Sequence, residues 1–266
     1  MRILALILSL VAAPSTAHEF WIEPLAYQVT PDGTIMGDIV NGENFEGTKL
    51  PFVEGNIENF VIFAGEEAKR VNGRAGDRPA LNQNVVAEGL NIVAYQASAA
   101  TLNYENWEKF QKFVDHKDLG DVRSRHDARG LPTENFLEVY GRFSKSLIGV
   151  GNALGSDRRV GLETELVALT NPYTDDLTNG MQVQMHYRNE LRSNEQIEVF
   201  EKAPDGTIDI QLYRTDDQGI GTFPVKSGHA YMVDAVVLRE PRAQLAATSG
   251  AVWQTLWANL TFAVPE

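Results

Sequence analysis

One histidine near the start of the chain offers the most distinctive chemistry in this sequence. Removing the first 17 residues would make His18 the first residue, with a free α-amino group and an imidazole on the same residue. The amine nitrogen and the nearer ring nitrogen can then close a chelate ring around one ion. Nitrogen ligands of this kind suit copper, nickel and zinc. The sequence therefore predicts a site for a divalent transition metal, namely nickel, copper or cobalt, at His18.

The segment before His18 has the pattern of a secretory signal peptide. Arg2 supplies a positive start, residues 3–13 are apolar, and Ala17 ends a run of small residues that a signal peptidase accepts. An apolar run of this length is shorter than the about 20 residues that cross a bilayer. We therefore expect cleavage after Ala17, a periplasmic or secreted protein, and no stable membrane insertion.

The pH dependence of such a chelate follows from its amine. The amine must lose its proton before it binds a metal, and a terminal amine has a reference pKa of about 7.7–8.0. Metal binding assists this loss near neutral pH. We expect the binding to weaken in mild acid.

A second ligand for the metal has several candidates among the other histidines. His126 lies in a polar stretch between predicted helices, and His229 lies in a turn that begins a strand. Loops and strand ends are frequent positions for ligands, so these two rank equally. His186 alternates with glutamines on the wet face of a strand, and His116 lies where a helix ends and favours a positive charge.

Carboxylates could complete the metal site. Asp234 lies among Met232 and Val236 on an otherwise apolar strand face, so we expect it to be buried beside a partner, either an arginine or a metal. An ordinary salt bridge is the stronger of these two interpretations. Glu19 follows His18 directly and points to the opposite strand face unless the terminus is twisted.

The composition limits the classes of partner. The chain of 266 residues has 23 Lys and Arg against 36 Asp and Glu, a formal net charge of −13. This excess of acid disfavours nucleic acid and anionic membranes, which select clustered basic residues. The absence of cysteine excludes disulfides and thiolate metal sites. The expected partners are a metal ion and a membrane metal transporter.

Common catalytic motifs are absent from the sequence. It contains no Gly-x-Ser-x-Gly elbow, no His-Glu-x-x-His helix, no phosphate-binding loop and no cysteine nucleophile. Three tryptophans fall at strand or helix spacings that are typical of a core rather than of sugar stacking. No catalytic residue and no organic cofactor is predicted.

The elements that must position these residues are mostly short strands. Alternating or apolar runs separated by Gly, Asn, Asp and Pro predict strands over residues 20–22, 34–40, 59–64, 85–95, 181–187, 208–213, 220–225, 231–238 and 253–262. Between residues 101 and 154 the apolar spacing becomes helical. It predicts one helix through Trp107 and Val114 and a second through Phe136 and Leu147, the second capped by Thr133.

These elements predict a mainly β protein with two immunoglobulin-like or transthyretin-like sandwiches and an α-helical insertion. The expected divisions are a signal peptide over 1–17, an N-terminal sandwich over 18–100, the helical insertion over 101–158, and a C-terminal sandwich over 159–266.

Several segments together resemble a known family. The chain is similar to the exported domain-of-unknown-function family 4198 in residues 18–24, 42–47, 140–147, 166–172 and 253–262. This resemblance covers nearly the whole chain after residue 17 and implies export, a β-rich fold and an association with nickel and cobalt uptake. Only His18 carries over as a ligand. Residues 199–238 also look like a carboxypeptidase-regulatory-like or transthyretin-like sandwich, a module that usually serves as a scaffold or binding surface.

The sequence thus favours a periplasmic protein that binds a transition metal through His18 for uptake or delivery, without turnover. Two alternatives remain open at this point. A copper oxidase or monooxygenase with a histidine brace would need a second histidine close to His18 and an open position on the metal. A metal-free module that binds carbohydrate or protein would leave His18 without a role.

Overall fold

The computed structural model describes residues 18–266, and the predicted signal peptide over 1–17 lies outside the described residues. The strands of the first half are β1 (Glu19–Pro24), β2 (Gln28–Val29), β3 (Thr34–Glu43), β4 (Glu46–Leu50), β5 (Ile57–Ala64), β6 (Glu67–Arg70), β7 (Leu81–Asn84), β8 (Gly89–Ala97) and β9 (Ala100–Asn106). Those that follow are β10 (Glu134–Val150), β11 (Thr164–Ala168), β12 (Met181–Tyr187), β13 (Glu190–Leu191), β14 (Gln196–Lys202), β15 (Ile208–Arg214), β16 (Ile220–Phe223), β17 (Ala230–Arg239) and β18 (Trp253–Ala263). The helices are α1 (Trp107–His116), α2 (Val122–Ala128) and α3 (Ala243–Ser249), with a 3₁₀ turn at Glu54–Asn56.

One large sheet runs through the whole molecule. Eight of its ten strands follow the order β15-β14-β17-β18-β10-β8-β5-β6, and the other two, β2 and β9, each pair with β10. A second sheet, β1-β3-β4 with β7 on β3, covers one face of its N-terminal part. A third sheet, β11-β12-β13 with β16 on β12, covers the opposite face of its C-terminal part. The two sandwiches therefore share one continuous sheet, and the fold-class prediction of a mainly β protein with a helical insertion is confirmed.

Each sandwich has its own apolar core. In the N-terminal core, Phe20 and Ile22 of β1 pack with residues such as Phe60 and Val93 of the large sheet. Met181, Val183 and Met185 belong to the C-terminal core, and their alternation along β12 matches the two-residue period of a strand. The sequence pattern identified this strand because only one of its faces is buried.

The helices cover a third apolar region. Helix α1 begins after Asn106, whose side chain accepts a hydrogen bond from the Lys109 main-chain nitrogen, as an N-cap residue does. Phe110 and Phe113 of this helix pack against Trp253 and Trp257 of β18. The first predicted helix is therefore present.

The prediction of a second helix through Phe136 and Leu147 is wrong. Residues 134–150 form β10, the longest strand, which pairs in parallel with β18 and in antiparallel with β8 and β9. Phe136, Phe143 and Leu147 imitate a helical spacing because polar residues between them, such as Ser144 and Lys145, are buried as well. Thr133 precedes a strand and caps no helix. The second helix of the insertion is instead α2, at Val122–Ala128.

Strand β1 connects the two halves of the molecule. Its odd-numbered residue Trp21 packs with Phe200 of β14 and Met232 of β17, while Phe20 and Ile22 face the N-terminal core. Its backbone is also held, because Ser144 Oγ donates to the Phe20 carbonyl oxygen over 2.8 Å. The start of β1 is thus fixed against both sandwiches.

The hairpin beside β1 requires glycine at a close approach. Gly42 of β3 pairs with Gly47 of β4, and a Cβ atom on Gly42 would overlap the main-chain oxygen of Glu46. The turn between them places Asn44 and Phe45 at φ values of 53° and 58°. Close backbone approach at this pair therefore fixes the hairpin tip beside the start of β1.

We expect Gly42→Ala to destabilise the protein by about 1–3 kcal/mol, because the added methyl group meets main-chain atoms that cannot move independently. The measurement is the free energy of unfolding in urea. Gly55→Ala is the matched control, since a Cβ atom there meets no heavy atom within 4 Å. Equal stability of the two variants would contradict this account of the hairpin.

Candidate functional site

His18 lies at the edge of the molecule, directly before β1. Its side chain is 54% exposed, and its Nε2 lies 3.2 Å from Oε1 of Glu43 at the end of β3. The antiparallel register of β1 and β3 pairs Glu19 with Gly42, which places His18 beside Glu43. The carboxylate contacts the distal ring nitrogen. The proximal nitrogen, Nδ1, is the one that could close a ring with the amine of the same residue.

Three buried carboxylates meet directly behind His18. Glu19 of β1, Glu198 of β14 and Asp234 of β17 are each at most 5% exposed, and one oxygen from each lies within 4.8 Å of the others. Glu198 and Asp234 are cross-strand partners, so their side chains share one face of the large sheet. Strand β1 lies against that face and adds Glu19 from above.

An ammonium group fills the centre of this acidic cluster. Nζ of Lys117, just after α1, lies 3.2 Å from Glu19 Oε1 and 3.1 Å from Asp234 Oδ2, and it also contacts Glu198 Oε2. The same nitrogen lies 4.9 Å from the ring centre of Trp257. Lys117 therefore occupies the position that a metal bound by these three carboxylates would take.

The electrostatics of the cluster follow from burial and charge. Burial raises the pKa of Glu19 to about 7, against the opposing effect of Lys117, and it also raises the pKa of Asp234. Although burial works against it, the pKa of Glu198 is lowered by hydrogen bonds and charge from His116 and Lys117. The three acids together raise the pKa of Lys117 despite its burial. The cluster thus holds its cation firmly.

His116 is the histidine that joins this cluster. Its Nε2 lies 2.8 Å from Glu198 Oε1, and this hydrogen bond raises the pKa of the imidazole. As predicted, it stands at the end of a helix. Residue spacing does not reveal that the end of this helix reaches a buried carboxylate.

Asp234 is buried beside a cation, as its apolar neighbours predicted. The partner is Lys117, rather than the arginine or metal that was expected, and the result is an ion pair. A metal at Asp234 would have to replace Lys117. Glu198 was not recognised as a site residue, because its strand also carries Gln196, Glu201 and Lys202 and does not have an apolar face.

His126 lies within α2 rather than in a stretch between helices, and its side chain is buried in the core. Its Nδ1 accepts a hydrogen bond from Trp253 Nε1 over 3.0 Å, and its Nε2 lies 3.0 Å from the Pro132 carbonyl oxygen. An acceptor at Nδ1 places the ring proton on Nε2. Desolvation by burial lowers its pKa. Both ring nitrogens are thus used within the protein.

His229 lies in an ion-pair network near the end of the C-terminal sandwich. Its Nδ1 lies 3.1 Å from Glu201 Oε1, and Lys226 and the Tyr231 hydroxyl contact the same carboxylate. The contacts of His126 and His229 are with groups other than His18. Of the four residues predicted to bind a metal, His18 and Asp234 lie near each other in the fold. Glu19, the residue after His18, belongs to the same carboxylate cluster as Asp234.

Comparisons with known proteins identify a family but no activity. The model of the family described as "Domain of unknown function (DUF4198)" matches residues 15–239. No curated protein matches the chain. A solved structure described as "Crystal structure of tetra-tandem repeat in extending region of large adhesion protein" is 10% identical, over 92% of this chain and 49% of that chain, with a TM-score of 0.22. A likeness at that TM-score supports no inference about this protein.

We expect Lys117→Met to destabilise the protein by about 3–5 kcal/mol near neutral pH, because three buried carboxylates lose their cation. The loss is measured by urea unfolding. It should shrink as the pH falls toward 4.5, the ordinary pKa of a Glu carboxyl. A carboxyl whose pKa is raised by folding adds stability below its unfolded pKa and loses it as the pH rises through the folded value.

The control for this prediction is Lys109→Met. Lys109 of α1 forms an exposed pair with Glu105 of β9, and exposed pairs contribute little to stability. A similar loss in both variants, or a loss in Lys117→Met that is the same at pH 5 and pH 8, would contradict the buried-cation account.

Proposed function

This chain belongs to the DUF4198 family of domains of unknown function, and we propose that it binds a divalent transition metal through a processed amino terminus at His18. The ligands are the α-amino nitrogen that cleavage after Ala17 would release and Nδ1 of the same residue. The metals of this proposal are nickel, copper and cobalt. The role is uptake or delivery of the metal, without turnover of a substrate.

The contact between His18 and Glu43 carries this proposal. Histidines that bind metals usually give their other ring N–H to a carboxylate, which fixes the ring and raises its basicity as a ligand. Glu43 Oε1 stands in that position, 3.2 Å from Nε2. The chelating nitrogen is the other one. In this proposal Nε2–H donates to Glu43, which leaves Nδ1 as the ring nitrogen that binds the metal together with the amine.

The surroundings favour a cation that can exchange. The side chain of His18 is more than half exposed, and the chain is strongly acidic overall. Two nitrogens from one residue leave coordination positions for water or for a receiving protein, which suits delivery. The strand behind the site is fixed by the Lys117 cluster, so the terminus starts from one position. The buried carboxylates are assigned to this structural role.

The cellular setting is part of the same proposal. A chain cleaved after Ala17 would act in the periplasm or outside the cell, where a membrane metal transporter is the expected partner. No helix among residues 18–266 is both long and apolar enough to cross a bilayer. This setting follows the association with nickel and cobalt uptake that the sequence resemblance implies, and it is part of the proposal.

The decisive test compares the exported protein with a variant that carries one alanine ahead of His18. The variant keeps the imidazole but moves the amine to another residue, so we expect its affinity for nickel and copper to fall by about 100-fold, the scale on which a linked second ligand strengthens binding. Titration calorimetry of both processed proteins measures the change, and mass spectrometry verifies that the exported chain starts at His18.

His186→Gln serves as the control, since it removes an imidazole from a strand of the other sandwich. Equal affinity in the extended and unextended proteins would overturn the terminal chelate. A mature chain that starts at another residue would remove its premise.

A second prediction concerns the carboxylate behind the ring. We expect Glu43→Gln to weaken nickel binding by about tenfold, because carboxylate partners of metal-binding histidines typically have effects of this size. Glu46→Gln is the matched control, since Glu46 is an exposed acid in the same hairpin. Identical affinities of the two variants would exclude a role for Glu43 in orienting the ring.

A further inference from the structure

A cavity lies between the N-terminal sheet and the large sheet, and the metal proposal does not use it. Its volume is about 480 Å³, within the range typical of small-molecule sites. Most of its wall is apolar and includes Phe20, Ile39, Phe60 and Tyr95 from four different strands. Val53 at its border is exposed, which gives the cavity an opening to solvent.

One charged side chain lines this apolar cavity. Arg142 of β10 is only 8% exposed, and its Nη1 is buried without a hydrogen-bond partner among the described residues. Its guanidinium carbon lies 4.1 Å from the ring centre of Trp257 and 5.0 Å from that of Tyr140. These cation–π contacts flank the guanidinium but give Nη1 no hydrogen-bond acceptor.

The acidic side chains near Arg142 do not form an ion pair with its guanidinium. Asp234, Glu138 and Glu19 act on it through space, but none of the ion pairs of residues 18–266 includes Arg142. Asp234 and Glu19 are joined to Lys117 instead, and Glu138 accepts from Thr255. A guanidinium keeps its charge inside proteins, and a buried unpaired donor is costly. The arrangement is therefore incomplete without an acceptor.

The cavity also lies where the large sheet is interrupted. On one edge of β10 the pairing with β9 ends at Tyr140 and Ala100, and pairing with β8 begins at Leu147 and Ile92. Ala97 and Ala100 line the cavity at this interruption. Small side chains there leave space beside residues 141–146 of β10, which pair with neither β9 nor β8 on that edge. Arg142 lies within this stretch.

We propose that this cavity binds a small organic monocarboxylate, with its carboxylate on the Arg142 guanidinium and an aromatic or branched apolar body against the Phe20 and Tyr95 side of the cavity. Arginine matches a carboxylate through paired N–H donors. The apolar wall supplies the rest of the binding free energy through burial of the ligand body.

The charges around the cavity further restrict the chemical class of the ligand. Glu138, Glu19 and Asp234 lie close enough to act on Arg142 electrostatically, so a second negative charge on the ligand would be repelled. A phosphate dianion or a dicarboxylate is disfavoured for this reason. A neutral ligand would leave the guanidinium without its counter-ion. One negative charge on an apolar body is the combination that fits.

The test uses phenylacetate with the intact chain, in EDTA so that no metal contributes. Titration calorimetry should show saturable binding at one site. Phenylacetamide keeps the body without the charge, and acetate keeps the charge without the body, so each should bind at least tenfold more weakly, as expected for loss of a charged hydrogen bond or of apolar burial. Tryptophan fluorescence, to which Trp257 beside Arg142 contributes, supplies a second readout.

Two variants locate the site. Arg142→Met should abolish the preference for phenylacetate over phenylacetamide, and Ala97→Leu should block the cavity without touching the guanidinium. Arg74→Met is the control, because Arg74 is 93% exposed. Circular dichroism verifies folding, and Ala97→Leu keeps the test valid should Arg142→Met fail to fold. Absence of saturable binding, equal binding of the amide, or unchanged binding in folded Ala97→Leu would overturn the proposal.

The result of the carboxylate-binding test does not depend on the result of the metal-binding test. His18→Gln should leave phenylacetate binding unchanged, since the residue does not line the cavity. Metal titration of Ala97→Leu should likewise match that of the unmodified protein. Failure of one proposal therefore leaves the other standing.

Discussion

The buried ammonium of Lys117 is the interaction on which the arrangement of this protein depends. It joins Glu19 at the start of β1, Glu198 of β14 and Asp234 of β17, three elements far apart in sequence. Burying an ion pair rarely gains much free energy relative to an apolar core, but an unpaired partner is strongly unfavourable. The cluster therefore specifies one position for β1 and for the end of α1, whatever its net contribution to stability.

Strand β10 shows why the local pattern misled the sequence analysis. Arg142, Ser144 and Lys145 are polar but buried, because each serves a neighbour: a cavity wall, the backbone of β1, and the acids Asp157 and Glu165. Hydrophobic periodicity assumes that polar residues face water. In a strand covered on both faces that assumption fails, and the remaining apolar residues fell by chance at helical spacing.

The elements that could be predicted from the sequence are those with one buried face and one solvent-exposed face. Strand β12 and helix α1 follow directly from the spacing of their apolar residues. Asp234 was also identifiable, because a carboxylate on an apolar strand face must have a partner. The identity of that partner could not be predicted, since Lys117 follows a helix more than a hundred residues away and nothing in spacing reveals such a contact. The partner of His126 could not be predicted for the same reason, since its hydrogen bond with Trp253 joins residues that are similarly far apart in sequence.

The two proposed sites depend on the alternation of a single strand. His18 precedes β1 at the surface, Glu19 turns inward to Lys117, and Phe20 turns to the opposite side, where it lines the cavity beside Arg142. A strand fixed by one buried ion cluster can therefore present a metal ligand at its end and a cavity wall one residue from the cluster. Glu19 points away from the cavity and Phe20 points away from the cluster, while Trp257 contacts both Lys117 and Arg142. The alternation of β1 therefore gives each of the two proposed sites its own face of the strand.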